Sequence, residues 1–259
     1  MKTGILRNNM KENLYKYILG IADNTLILGQ RLGELCGHGP SLETDIACTN
    51  ISLDLLGQTR SYYQYAAKLK GDNKTEDDIA MLRPEREYIN TLLVEQPNTD
   101  FAYTMAKQFL FDAYHYLFIQ KLQSSKDETL SAIANKGIKE VSYHYRFSSD
   151  WIKRLGDGTE ESHDRIQNAI NNLWTYTDEL FHQTEADKVM IAEEIGVDTV
   201  VFKEDYYNKV SKVLKEATLE VPESKYFQKG GKEGIHTEHL GHLLSELQYM
   251  QRTYPNMKW

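Results

Sequence analysis

Proline is scarce in this chain, with five in 259 residues, and 16 glycines add little further punctuation. With so few breakers, long segments can run uninterrupted, which favours helices over the closely spaced turns of a β-sandwich. Two cysteines, Cys36 and Cys48, are too few for a disulfide framework in a chain of this size. Both read as reduced thiols, and the compartment as the cytosol. No apolar run approaches the ~18 residues of a membrane span, and the opening MKTGILRNNMKENL has no apolar stretch of signal-peptide length. A basic surplus is missing too. Thirty Lys and Arg against 38 Asp and Glu leave a formal charge of −8, which argues against a dominant nucleic-acid backbone binder but leaves room for a local basic patch. There is no Ser-His-Asp order, no Gly-x-Ser-x-Gly elbow and no Cys-x-x-Cys.

What the sequence does have is helical periodicity. Leu14, Tyr17, Ile18, Ile21, Thr25, Leu28, Leu32 and Leu35 recur at steps that keep one face apolar, and Gly37-His38-Gly39-Pro40 ends that helix. A second helix is expected from Leu42 to Leu69, with Ile46, Leu53, Leu56, Tyr63 and Ala67 inward. Gly71 to Lys74 reads as a loop, the acidic stretch to Asp78 as mobile, and a short helix follows Pro84. Long helices are expected over Phe101–Gln123 and Asp127–Leu155, with Ile133, Gly137, Val141, His144, Ser148, Trp151 and Leu155 on one stripe of the latter. A fifth spans Glu160–Phe181, shorter pieces cover Lys188–Glu194 and Phe202–Leu219, and a last helix covers Thr237–Thr253. Four helices of about 25 residues, in two hairpins joined by a longer excursion, predict an all-α, ferritin-like four-helix bundle with additional C-terminal helices. The expected layout is a flexible N-terminus over residues 1–12 and a single ferritin-like domain over 13–259 with a C-terminal helical extension.

Such bundles can hold two irons, using one Glu from each of two helices and a Glu-x-x-His from each of the other two. The spacing works because residues i and i+3 share a helix face. Helix one offers Glu34 or Asp23, helix two Asp54, helix three Asp112 and helix four Glu140. Three residues after Asp54 stands Gly57, with Gln58 beyond it; three after Glu140 stands Tyr143, with His144 displaced by one. His144 lies about 100° around the helix from that position. Both required histidines are therefore missing, and these acids read as structural, paired with Arg60, Lys139 or hydroxyls. Stray matches at Asp112/His115, Glu160/His163, Glu179/His182 and Glu233/His236 fall on the wrong helices for a matched pair. Near the C-terminus, His236, His239 and His242 suggest a zinc site, and the Gly230-Gly231 loop a phosphate cradle. Against both stands the plainer reading of a capped helix start docking on a neighbour.

The segments GIADNTLILGQRLGELCGHGPSLETDIA, NISLDLLGQTR, LLVEQPN, IKEVSYHYRFS, LWTYTDELF and GGKEGIHTEHLGHLLSELQYMQR together resemble the C-subunit family of the multicomponent phenylacetyl-CoA epoxidases (ring-1,2-monooxygenases) of aerobic phenylacetate degradation. The resemblance runs from about Asn13 to Trp259. It implies a degenerate sister of the ferritin-like, di-iron A subunit: the same fold, no metal or other cofactor of its own, and a structural role beside that sister. Glu34, Asp54, Asp112, Glu140 and His144 then stand as relicts of the di-iron stations. The resemblance further implies that electrons come from a reductase subunit using NADPH, flavin and an Fe–S centre, and that accessory subunits complete the system. Contact with phenylacetyl-CoA is implied at Glu87 and Asn90 and at Lys188, Val189 and Met190.

Overall fold

The computed structural model describes residues 2–255 and 257, with side chains from residue 9 onward. Among the described residues every regular element is a helix. They are α1 (Lys2–Gly33), α2 (Leu42–Lys70), α3 (Glu76–Met81), α4 (Leu92–Glu95), α5 (Phe101–Leu122), α6 (Glu128–Gly156), α7 (Glu160–Leu173), α8 (Glu185–Ala192), α9 (Lys203–Glu216), α10 (Glu238–Leu247) and α11 (Tyr249–Thr253). α1 and α2 form one long hairpin, α5 and α6 the other, and α2 lies against α6. The excursion between the hairpins carries α3 and α4. This is a ferritin-like four-helix bundle with further helices packed on the outside of α5 and α6.

Local chemistry sets the boundaries. Ser41 caps α2 through its hydroxyl, and Gly71, at φ 70°, closes it in the left-handed conformation that costs glycine nothing. Asp100 and Asp127 accept backbone N–H groups at the starts of α5 and α6. α5 is buried on almost every side because α4, α6, α7 and α9 surround it, which explains an apolar composition with no clear polar face.

Several expectations need correcting. α1 begins at Lys2, earlier than the expected start near Leu14. The acidic stretch before Asp78 is ordered: Thr75 and Asp78 form a reciprocal capping box that starts α3. The segment after Pro84 is one short 3₁₀ turn, Glu85–Glu87. α7 stops at Leu173 and continues to Phe181 as 3₁₀ turns, and the last helix breaks at Gln248. In α2, Tyr63 is buried as expected and Leu56 and Ala67 pack against the core, but Ile46 and Leu53 point outward, 51% and 60% exposed, and Cys48, Ile51, Leu55, Gln58, Thr59, Tyr62 and Ala66 face the core as well. The sequence of α2 is apolar on more than one face, and periodicity alone cannot say which residues the bundle buries.

Candidate functional site: the bundle centre and the cleft beside it

Two pairs of side chains fix how α2 and α6 meet. His144 Nε2 lies 3.0 Å from Asp54 Oδ2, and Gln58 donates from Nε2 to Glu140 Oε2 at 3.0 Å. The chain numbers rise on one helix as they fall on the other, so the two are antiparallel. Asp112, on α5, is wholly buried; it accepts from Gln108 Nε2 at 2.7 Å and from Ser148 Oγ, on α6, at 2.8 Å. Burial pushes its pKa up to about 6, against the smaller opposing pull of His144 and these two hydrogen bonds. His115, one turn along α5, is buried with neither ring nitrogen engaged, and burial drives its pKa down to about 3. Tyr62 Oη, Gln58 Oε1, Gln108 Oε1 and His144 Nδ1 also lack partners. The bundle centre is thus polar but sparsely bonded.

This donor set does not fit a di-iron centre. Gly57, at the station three residues after Asp54, is exposed, and Gln58 beyond it faces inward, its side chain against the bare Cα of Gly137, where a Cβ would come within 3.5 Å of the amide carbon. Tyr143, at the matching position on α6, is on the surface and 39% exposed. Glu34 lies past the end of α1, bonded to Arg31 at 2.7 Å, and does not join the others. Among the described residues no three His, Cys, Asp or Glu side chains come together in a way that could hold a metal ion. The cations expected beside Asp54 and Glu140 are not there. Arg60 is turned to Glu76, Lys139 is exposed, and the actual partners are a histidine and an amide. Both acids are half-buried at the seam between the helices rather than enclosed.

The C-terminal histidines do not converge on a metal either. His236 bridges Glu95 Oε2 at 2.9 Å and the Tyr88 carbonyl at 2.8 Å. Burial pulls its pKa down, but the Glu95 carboxylate outweighs this, and the net shift is upward. His242 is exposed. The glycine loop does cradle an anion, but the anion belongs to the chain itself: Glu179 Oε1 accepts from the N–H groups of Gly230 and Gly231 at 2.7 and 2.8 Å. Gly230, at φ 142°, makes that approach possible.

Beside the bundle, α1, α3, the Arg83–Ile89 segment and α8 enclose a cleft of about 1040 Å³. Its basic residues are Lys16, Lys70, Lys74, Arg83, Arg86, Lys188 and Lys232; its acids are Glu12, Asp78, Glu87, Glu185, Asp187 and Glu233. Arg83 is committed to the floor, clamped to the buried Asp23 at 2.5 Å and, through Nε, to the Ile79 carbonyl. Lys232 is tied to Asp187 and Lys188 to Glu185. Lys16, Lys74 and Arg86 have no ion pair among the described residues. Of the residues named from sequence, Glu87 and Lys188 line this cleft although about 100 positions separate them. Asn90 does not: it is buried and bonded to Glu95. Met190 is buried in the core and Val189 packs against it. Sequence reading missed Arg83, Asp187 and Lys232, because nothing local marks residues that only the crossover brings together.

With this geometry in view, the comparisons are specific. The chain matches the family described as phenylacetic acid catabolic protein over residues 3–259. It is 48% identical to the C subunit of the 1,2-phenylacetyl-CoA epoxidase of Escherichia coli (strain K12) over 246 residues, covering 95% of this chain and 99% of that protein. Similarity of this extent shows that the chain belongs to the phenylacetic acid catabolic protein family.

Proposed function

We propose that this chain is the non-catalytic structural subunit of a multicomponent phenylacetyl-CoA epoxidase, held in the cytosol against a di-iron sister subunit that carries the oxygen chemistry. One observation bears most of the weight. Three residues after Asp54 and Glu140, where a di-iron bundle needs its two histidines, this bundle has an exposed Gly57 and a Tyr143 that leaves the interior. The full-length similarity to a protein named as the C subunit of such an epoxidase supports the same reading. On this proposal the reductase and accessory subunits act on the sister chain, and Asp54, Asp112, Glu140 and His144 serve packing rather than turnover.

The cleft adds a substrate-facing role. Glu87 and Lys188 both line it, and the uncommitted Lys16, Lys74 and Arg86 give it cationic donors suited to the phosphates of a CoA thioester. No helix of the described chain is long and apolar enough to cross a membrane.

Elemental analysis after co-expression with the sister subunit in iron-supplemented medium tests the proposal. Iron is expected in the sister chain only, with both chains co-eluting from gel filtration at micromolar concentration. Near two irons per copy of this chain, or separate elution, would overturn it.

A further inference from the structure

Both ring nitrogens of His236 face acceptors. Nδ1 lies 2.9 Å from Glu95 Oε2, on α4, and Nε2 lies 2.8 Å from the Tyr88 carbonyl oxygen. A neutral imidazole has a single N–H and can satisfy one of them; only the imidazolium donates to both. Glu95 does not supply the missing proton. Its Oε1 accepts from the N–H and the hydroxyl of Thr237 and its Oε2 from Asn90, so it serves as an acceptor throughout. The side chains of His236 and Glu95 are both wholly buried. Glu85, on the 3₁₀ turn, adds a second negative charge acting on the ring. Arg31, the cation that α1 brings to this corner, is spent on the carbonyls of Glu95 and His239 and on Glu34. Tyr88 turns its hydroxyl onto the Ala80 carbonyl. On the segment of His236 itself, Lys232 and Glu233 are paired with Asp187 and His182, and Glu238 is exposed.

The bond to Tyr88 joins two segments that line the cleft. Arg86, Glu87 and Ile89 come from the crossover, and Lys232 and Glu233 from the C-terminal loop. These segments touch backbone to backbone: a Cβ on Gly231 would come within 2.3 Å of the Asn90 carbonyl oxygen, and one on Gly234 within 2.4 Å of that of Arg86. Such close packing leaves little slack to absorb a change at His236. Loss of one proton keeps the Nδ1–H on the carboxylate, the stronger acceptor, and sets the Nε2 lone pair against the Tyr88 carbonyl. That contact is repulsive. Further along the loop, Gly230 and Gly231 are held by Glu179 through backbone N–H groups, which do not titrate, so the loop stays attached there.

We propose that doubly protonated His236 is a proton-operated clamp between the crossover and the C-terminal loop beside the cleft, and that loss of one proton loosens these two segments without unfolding the bundle. The clamp stands on this geometry; only what enters the cleft depends on the function proposed above. The Glu95 carboxylate raises the folded pKa of His236 against the opposing effect of burial. The clamp is therefore complete below the ordinary histidine value, about 6.5, and is lost as pH rises through the folded value. The test uses the full chain, isotope-labelled at histidine, and follows the imidazole nitrogens of His236 by NMR and the backbone amides by hydrogen exchange across the same pH series. At about pH 6.5, where free histidine is half-titrated, both ring nitrogens of His236 are expected to carry protons. At higher pH one proton should leave. With the same midpoint, exchange protection over residues 87–90 and 231–237 should fall about tenfold, the factor set by one hydrogen bond to a charged group. Amides in the cores of α5 and α6 should keep their protection. His236→Gln should show the lower protection at every pH, and the parent chain alone decides the matter if that variant does not fold. A single ring proton at pH 6.5 would overturn the imidazolium. Deprotonation with unchanged protection in the two segments would overturn the clamp, as would an equal loss of protection in α5 and α6.

Discussion

Two groups of acids in this protein, buried or half-buried, are handled in opposite ways. Asp23, Glu95 and Glu179 are saturated. Asp23 takes both guanidinium nitrogens of Arg83, the Tyr63 hydroxyl and the Ile89 N–H. Glu95 takes Asn90, His236 and both donors of Thr237. Glu179 takes three backbone N–H groups, from Leu92, Gly230 and Gly231. Each joins segments 50 or more residues apart and so fixes the crossover and the C-terminal loop onto the bundle. Asp54, Asp112 and Glu140 instead have only side-chain partners, a histidine, amides and a hydroxyl, and orphaned polar atoms surround them. A buried carboxylate organises a fold when charged or backbone donors fill its lone pairs; otherwise it is merely tolerated. The centre of the bundle is here the less organised of the two regions.

The sharpest way to break this comparison is to cut a saturated acid. Asp23→Ala should strand Arg83 and cost about 3–5 kcal/mol in urea unfolding. Asp23→Leu with Arg83→Met should recover most of that loss. A single variant that unfolds like the parent would erase the distinction between the two groups.

Asp112 predicts the reverse sign. Its folded pKa is raised to about 6, above the unfolded value, so its ionisation opposes folding: the penalty grows as pH rises from about 4 to 6 and is constant above. Two pH units correspond to about 3 kcal/mol. Asp112→Asn should therefore be more stable than the parent at pH 7.5, with the gain vanishing near pH 4. The new amide can donate to Gln108 Oε1, now unpartnered, once that side chain flips. Denaturant midpoints at both pH values check this, and a loss of stability at pH 7.5 would show that Asp112 belongs with the saturated acids.

The smallest effect is expected at Asp54. Partly exposed and paired only with a histidine, it should lose about 1 kcal/mol on replacement by Ala, with turnover of the assembled epoxidase within tenfold of the parent. A thousandfold loss of turnover in a complex that assembles and melts normally would make the carboxylate catalytic.

The four long helices were legible because their caps and breakers are local: Ser41, Gly71, Asp100, Asp127 and Gly156 to Gly158 act within a few residues of where they stand. That Gly57 and Tyr143 stand three residues after Asp54 and Glu140 was equally legible, since i, i+3 spacing is a property of one helix. The partners of Asp54 and Glu140 were not. Nearest-in-sequence cations suggested Arg60 and Lys139, but a side chain on a helix meets what the opposing helix presents, and register alone decides that.

Sequence by itself determined that the chain folds into helices, where most of them begin and end, and that no Glu-x-x-His pair occupies helices two and four. Tertiary structure decided which apolar residues of α2 are buried, that the glycine loop is filled by Glu179, and that Glu87 and Lys188 line one cleft. The reason is range. Propensity, capping and periodicity act over one or two turns, whereas burial and hydrogen-bond partnership depend on which surfaces the crossover brings together.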